Sequence, residues 1–119
     1  MNTKNVNIED YYVGDSVASV ITLTDATTGA AINISGYTFY FTMKYSESDL
    51  DASAIISKTF TPVGDGSTGK VILALSSADT SVESKNYFYD LRYKDGSGNK
   101  GTLLNGKFYL NQSITRTIA

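Results

Sequence analysis

Between Gly36 and Tyr45 the chain alternates with a period of two. Tyr37, Phe39, Phe41, Met43 and Tyr45 interleave with Thr38, Tyr40, Thr42 and Lys44. Successive side chains of a strand point to opposite faces, so this spacing predicts a strand with Phe39 and Phe41 turned inward. A second such run covers 87–93, where Tyr87, Tyr89, Leu91 and Tyr93 alternate with Phe88, Asp90 and Arg92. A third covers 69–75, with Val71, Leu73 and Leu75 on one face. The run 16–24 is also strand-like, but both of its faces are semi-apolar. Val17, Ser19, Ile21 and Leu23 share one, Ala18, Val20, Thr22 and Thr24 the other, and the pattern leaves open which is buried.

The punctuation between these runs is that of turns. Residues 25–29 form a turn cluster ending in Gly29, 31–34 a short extended piece, and Ser35-Gly36 leads into the aromatic strand. The polar loop 46–53 has room for one helical turn. Strand 54–61 should end at Pro62, which has no N–H for a ladder, and 64–67 is a turn. In 76–84 a single helical turn is predicted with Ser77 as cap, Asp79 and Thr80 competing. Residues 94–99 (Lys-Asp-Gly-Ser-Gly-Asn) read as a hairpin loop. The last long strand, 100–110, is interrupted at Asn105-Gly106; a bulge fits better there than a second turn, which would leave very short partners. Residues 114–118 are a final extended segment. Residues 1–10 are polar and aperiodic, and are read as an N-terminal arm ordered only by an outside partner; 11–119 form one domain.

Seven to eight short strands, with turns at spacings of about 8–12 residues and no long 3.6-period stretch, predict an all-β fold: an immunoglobulin-like antiparallel β-sandwich. At 119 residues, such a chain buries enough surface for a core without staples. It has no Cys, which removes disulfides and thiolate metal sites and suits a reducing compartment. No signal-peptide core and no membrane span is visible, which predicts a soluble protein without membrane insertion.

Ten Lys and Arg stand against twelve Asp and Glu, a net charge of −2, and they are scattered along the chain. Nucleic-acid binding needs a basic stripe to neutralise phosphates; none shows in the linear sequence, so nucleic acid is not expected as a partner. With no His and no Cys, a nucleophilic Ser would need Lys or a carboxylate as its base, and no spacing singles one out. The chain is read as a non-enzyme with no cofactor. Glu47, Asp49 and Asp51 alternate in one loop and are weak candidates for Ca²⁺, but the loop lacks the glycine turn and distal Glu of an EF-hand, so a solvated loop is the better reading. The oxygen-rich loop 95–99 is explained as a hairpin. Asp90 and Arg92 share one side of a strand, as a surface ion pair would.

Nine Tyr remain to be placed. Tyr37 and Tyr89 belong to the core by their alternation. Tyr87, eight residues after Asp79, sits where sandwich folds keep a corner tyrosine. Tyr40, Tyr45, Tyr93 and Tyr109 could line a protein interface or a carbohydrate platform, since Tyr combines contact area with a polar handle. Tyr40 and Tyr109, on the registers opposite the apolar faces, are the exposed contacts of choice. Tyr11 and Tyr12, where the arm joins the domain, and Arg116 in the tail complete the interface candidates.

The order of motifs carries a resemblance. Gly14-Asp15 opens a strand ending in Leu23-Thr24-Asp25. A turn with Gly29 follows, then Ile32-Asn33-Ile34-Ser35-Gly36-Tyr37 before the aromatic strand. Gly69-Lys70-Val71 opens a strand ending in Leu75-Ser76, with Asp79-Thr80 beyond. Tyr87-Phe88-Tyr89-Asp90-Leu91 precedes Asp95-Gly96, and the chain closes with Gly106-Lys107-Phe108-Tyr109-Leu110 and Ile114-Thr115-Arg116. Over residues 11–116 this resembles the N-terminal β-sandwich domain of phage upper-baseplate (BppU-type) proteins and similar immunoglobulin-like proteins of phage tails and virions. Those baseplate proteins continue into helices and a receptor-proximal region, whereas this sequence runs to Ala119. The resemblance therefore implies the attachment module alone, or a stand-alone virion protein of similar shape. It implies a structural protein of tail, baseplate or head surface, located in the virion after assembly in the host cytoplasm. Its partners would be other virion proteins or further copies of itself. A carbohydrate-binding or adhesive β-sandwich module is the alternative.

Overall fold

A computed structural model describes residues 4–114. The strands are β1 (Lys4–Asn5), β2 (Ile8–Tyr12), β3 (Val17–Thr22), β4 (Thr38–Lys44), β5 (Ile56–Phe60), β6 (Lys70–Leu75), β7 (Lys85–Lys94) and β8 (Lys100–Asn111); the helical content is one 3₁₀ turn, Asp51–Ser53. The large sheet runs β1-β8-β7-β4-β5, with β2 also on β8, and the small sheet pairs β3 with β6. The fold is an all-β sandwich, as the alternation predicts.

The core lies where the aromatic strands place it. Phe39, Phe41 and Met43 of β4 are fully buried, together with Tyr87, Leu91 and Phe108. Burying each such side chain stabilises the fold by about 1.5–3 kcal/mol. The rings of Phe41, Tyr89 and Phe108, one from each of three adjacent strands, meet at centroid distances of 5.8, 6.2 and 6.3 Å. From the small sheet, Val71, Leu73 and Leu75 of β6 close over them, with Val17 of β3 and Leu23 just beyond it. This settles the face of β3: Val17 and Leu23 are buried, and Val20 is 59% exposed.

β7 and β8 form the predicted hairpin. Asp95 organises its loop, its carboxylate accepting the N–H groups of Ser97 and Asn99 at 2.9 Å each. Tyr87 is the predicted corner residue, its hydroxyl donating to the Glu83 carbonyl four residues upstream. Burial pushes the Tyr87 and Tyr89 hydroxyls up to about 12. Both are neutral in the folded chain until well above the pH at which an unfolded tyrosine ionises. Their contribution is therefore complete below about pH 10 and is lost as pH rises towards 12.

Several expectations are corrected. The segment read as an arm is part of the sheet: β1 and β2 run parallel to β8, with Lys4 opposite Leu104, Ile8 opposite Phe108 and Tyr12 opposite Asn111. The boundary drawn between residues 10 and 11 falls inside β2. Polar composition hid this strand pair, because an edge position is held by backbone hydrogen bonds and few side chains need be apolar. Tyr89 supplies the other anchor, its hydroxyl donating to the Val6 carbonyl at 2.6 Å. Pairing between first and last strands also makes the large sheet mixed rather than purely antiparallel.

Asn105-Gly106 does not interrupt β8. The register shifts instead between Leu91 and Arg92, whose partners are Leu104 and Thr102, so Leu103 is the extra residue. Gly106 has a different role. A Cβ built there would lie 2.2 Å from the Val6 carbonyl oxygen, and φ is 153°. The chain between β1 and β2 passes against this glycine, while Val6 N–H bonds Asn105 O at 2.8 Å and Asn7 Oδ1 accepts from Lys107 N–H at 3.1 Å. In 76–84 a single turn forms, but its cap is Ser76, which exchanges hydrogen bonds with Asp79 at 2.8 and 3.1 Å. Of the extended piece 31–34, Ala31 makes one isolated bridge, to Thr24. The expected segment 114–118 lies outside the described residues beyond Ile114.

Gly106→Ala should destabilise the protein by about 2 kcal/mol or more in urea denaturation, because the new methyl meets backbone. In a chain beginning at Ile8 the same substitution should cost clearly less, since the crowding backbone is gone and only the strain of the positive φ remains. An equal cost in both backgrounds would refute the close-approach account.

Candidate functional site

A strand pattern that buries one face dictates the other. With Phe39, Phe41 and Met43 inside, β4 presents Tyr40, Thr42 and Lys44 outward; with Tyr87, Tyr89 and Leu91 inside, β7 presents Phe88, Asp90 and Arg92. The ladders align these in cross-strand rows. Tyr40 lies opposite Arg92 and Arg92 opposite Thr102; Thr42 opposite Asp90 and Asp90 opposite Asn105; Lys44 opposite Phe88 and Phe88 opposite Lys107. Neighbouring rows are about 7 Å apart, two residues of strand rise.

This outer face is an open trough of about 950 Å³, continued at one end by Asn5 and Asn7 and at another by Glu47 and Asp51. Five cations line it, Lys44, Arg92, Lys94, Lys100 and Lys107, against three acids, Glu47, Asp51 and Asp90. The chain carries ten cations and twelve acids in all. Half of its positive charge is thus gathered on one face of a protein whose net charge is negative.

Asp90 sits in the middle row and is half-buried. Desolvation raises its carboxyl above the ordinary carboxylate value, against the opposing pull of Arg92 and Lys44. The expected Asp90–Arg92 ion pair is not among the ion pairs of the described residues, which are Lys44–Asp51 at 2.7 Å and Lys58–Asp79 at 3.1 Å. Side chains two residues apart on one strand face stand about 7 Å apart at their bases. At the aromatic end of the trough, Lys107 Nζ lies 5.9 Å from the centroid of the Phe88 ring.

The acidic loop is organised by a cation already in the protein. Lys44 Nζ donates to Asp51 Oδ1 at 2.7 Å and to the Asp49 carbonyl at 2.9 Å. Asp49 Oδ2 accepts from Ser46 N–H at 3.1 Å. The Lys44 hydrogen bond holds the Asp51 carboxyl below its ordinary value. Among the described residues no three acidic side chains converge as metal ligands, Glu47, Asp49 and Asp51 included.

The interface candidates separate. Tyr40 is exposed in the trough and Tyr109 half-buried on the same outer face, where it pairs with Asn86. Tyr12 is 47% exposed at the edge of the large sheet. Tyr11 is corrected: it packs on the core, its ring stacked 6.0 Å from Phe108. Arg116 lies outside the described residues. Tyr45 is exposed beside Tyr87 with Lys85 Nζ 4.8 Å from its centroid, and Tyr93 stacks on Tyr37 inside. The gathering of cations was missed because they come from three strands. The signal was present only in part: the 95–99 hairpin and alternation put Arg92, Lys94 and Lys100 on the Tyr40 side, whereas Lys107 reaches it because the extra residue Leu103 shifts the alternation of β8.

Compared with known proteins, the chain matches no family model and no curated sequence.

Asp90→Asn keeps the shape and removes the desolvated charge. A raised folded value means ionisation opposes folding, a cost present at neutral pH and relieved as the carboxyl protonates in acid. The variant should therefore be more stable than the parent at pH 7, by about 0.5 kcal/mol, and should lose that advantage on acidification. Urea midpoints across pH check this; a less stable variant at pH 7 would show that the carboxylate serves the fold.

Proposed function

We propose that this chain is a non-enzymatic structural component of a phage virion, an attachment or assembly module of tail, baseplate or head surface. The reading rests on the resemblance to baseplate sandwich domains. The observation in its favour is the free edge of β3. That strand, Val-Ala-Ser-Val-Ile-Thr, contains no charged residue and no proline, and among the described residues it has β6 on one side only. Leu23 N–H bonds to Gly69 O at 2.7 Å on the β6 side. By the alternation of an antiparallel ladder, the backbone groups of Ala18, Val20 and Thr22 then face outward.

Edge strands are ordinarily protected by charge, proline or a bulge, because unpaired N–H and C=O groups template pairing with another chain. The edge strand β2 carries Glu9 and Asp10, and β5 carries Lys58. β3 carries no such guard. Its exposed Val20 lies opposite exposed Ile72, an apolar pair beside the open backbone. A neighbouring virion protein adding a strand here would gain main-chain hydrogen bonds and that apolar contact. The N-terminal segment, as part of the sheet, is a poorer docking arm than its sequence suggests.

The test is incorporation. Mass spectrometry of purified particles should find the wild-type chain, and Val20→Lys should lower its incorporation at least about tenfold while the unfolding free energy changes by no more than about 0.5 kcal/mol. Particles lacking the wild-type chain would remove the virion reading; undiminished incorporation of Val20→Lys would remove the β3 edge from it.

A further inference from the structure

The trough on the outer face is unrelated to the β3 edge, and nothing in the packing of the sandwich requires its composition. A solvated sheet face has no need to gather half the cations of an acidic protein, nor to hold Tyr40 and Phe88 among them. Least of all does stability call for a desolvated carboxylate at the centre. From the cross-strand rows we infer that this face binds an acidic oligosaccharide, a sugar chain bearing carboxylates.

Each row supplies a different part of such recognition. At one end Tyr40 and Arg92 are cross-strand neighbours, with Lys94 and Lys100 in the next row. Tyr offers a flat apolar face for the C–H surface of a pyranose, and Arg a planar fork for a carboxylate. About 14 Å away, two rows along, Phe88 and Lys107 repeat the pairing of ring and cation. Between them Asp90 is flanked by Thr42 and Asn105, acceptors and donors suited to hydroxyl groups. Asn5 and Asn7, brought to the rim by β1 and the turn after it, extend this amide-rich stretch. The volume of about 950 Å³ is enough for a short oligosaccharide and lies within the range of small-ligand sites, about 300–1,000 Å³.

The central acid decides between anionic ligand classes. A polyphosphate or nucleic-acid backbone carries charge at every repeat and donates few hydrogen bonds, so Asp90 would repel it where the strands bring it closest. A carboxylated sugar alternates charge with hydroxyl donors, and its hydroxyls can donate to Asp90 while its carboxylates reach the cations on either side. The ends attract charge and the middle accepts hydrogen bonds. A neutral sugar would leave Arg92 and the lysines without a counterpart.

The experiment uses the intact chain, with binding followed by NMR shifts of Tyr40, Asp90 and Arg92. The probes are a panel of uronate- and sialate-bearing oligosaccharides, their neutral counterparts, and inorganic polyphosphate. Acidic members should bind at least about tenfold tighter than neutral ones and tighter than polyphosphate. Arg92→Ala and Tyr40→Ala should each weaken the best acidic ligand about tenfold. Asp90→Ala should weaken the sugar and strengthen polyphosphate, a reversal that a purely structural role would not produce. No binding by any acidic member up to about 10 mM would overturn the inference. So would polyphosphate binding the wild-type chain as tightly as the sugars do, because the face would then be a general anion surface. These results are separable from virion docking, since Val20→Lys leaves the trough intact and Arg92→Ala leaves the β3 edge intact.

Discussion

The contact of Phe41, Tyr89 and Phe108 is the constraint from which the rest of the molecule follows. One ring comes from each of three neighbouring strands, and the three can meet only in one register of β4, β7 and β8. Side chains alternate across a sheet with a period of two, so a slip of one residue would turn Phe39 and Phe41 into water and bury Tyr40 and Thr42. The same register that closes the core therefore composes the outer face. Tyr40, Asp90, Arg92 and Lys107 stand together because the residues beside them in sequence cannot be anywhere but inside.

The N-terminal strands are attached by a second, smaller device. Tyr89 belongs to the core by its ring, yet its hydroxyl reaches the Val6 carbonyl, and Gly106 opposite it leaves room for that backbone to approach. One residue pair thus couples the interior to the edge. β1 and β2 take up the outer side of β8 and place Asn5 and Asn7 at the rim of the trough. Among the described residues the small sheet has no corresponding cover, and β3, which carries no charged residue, pairs with β6 alone.

The sequence made the strands legible wherever burial was one-sided. Alternation located β4, β6 and β7 and their inward residues, and the loop at Asp95 announced the β7–β8 hairpin. It was silent where backbone rather than side chains does the work: β1 and β2 are polar because an edge needs hydrogen bonds more than apolar surface. It misled at Gly106, where a glycine inside a strand reads as a break but serves a close approach. The cationic trough was hidden for a related reason. Lys44, Arg92 and Lys107 are far apart along the chain, and only strand pairing brings them onto one surface. Tyr11 shows the reverse error, an aromatic at a supposed junction that the parallel pairing folds onto Phe108.

The register claim is open to one direct measurement, the through-space contacts among aromatic side chains in a NOESY spectrum of the isotope-labelled protein. The rings of Phe41, Tyr89 and Phe108 should form one connected network that excludes Tyr40 and Phe88. Finding Tyr40 or Phe88 inside that network would place β4 or β7 in the other register, and with it the trough and everything argued from it would be lost.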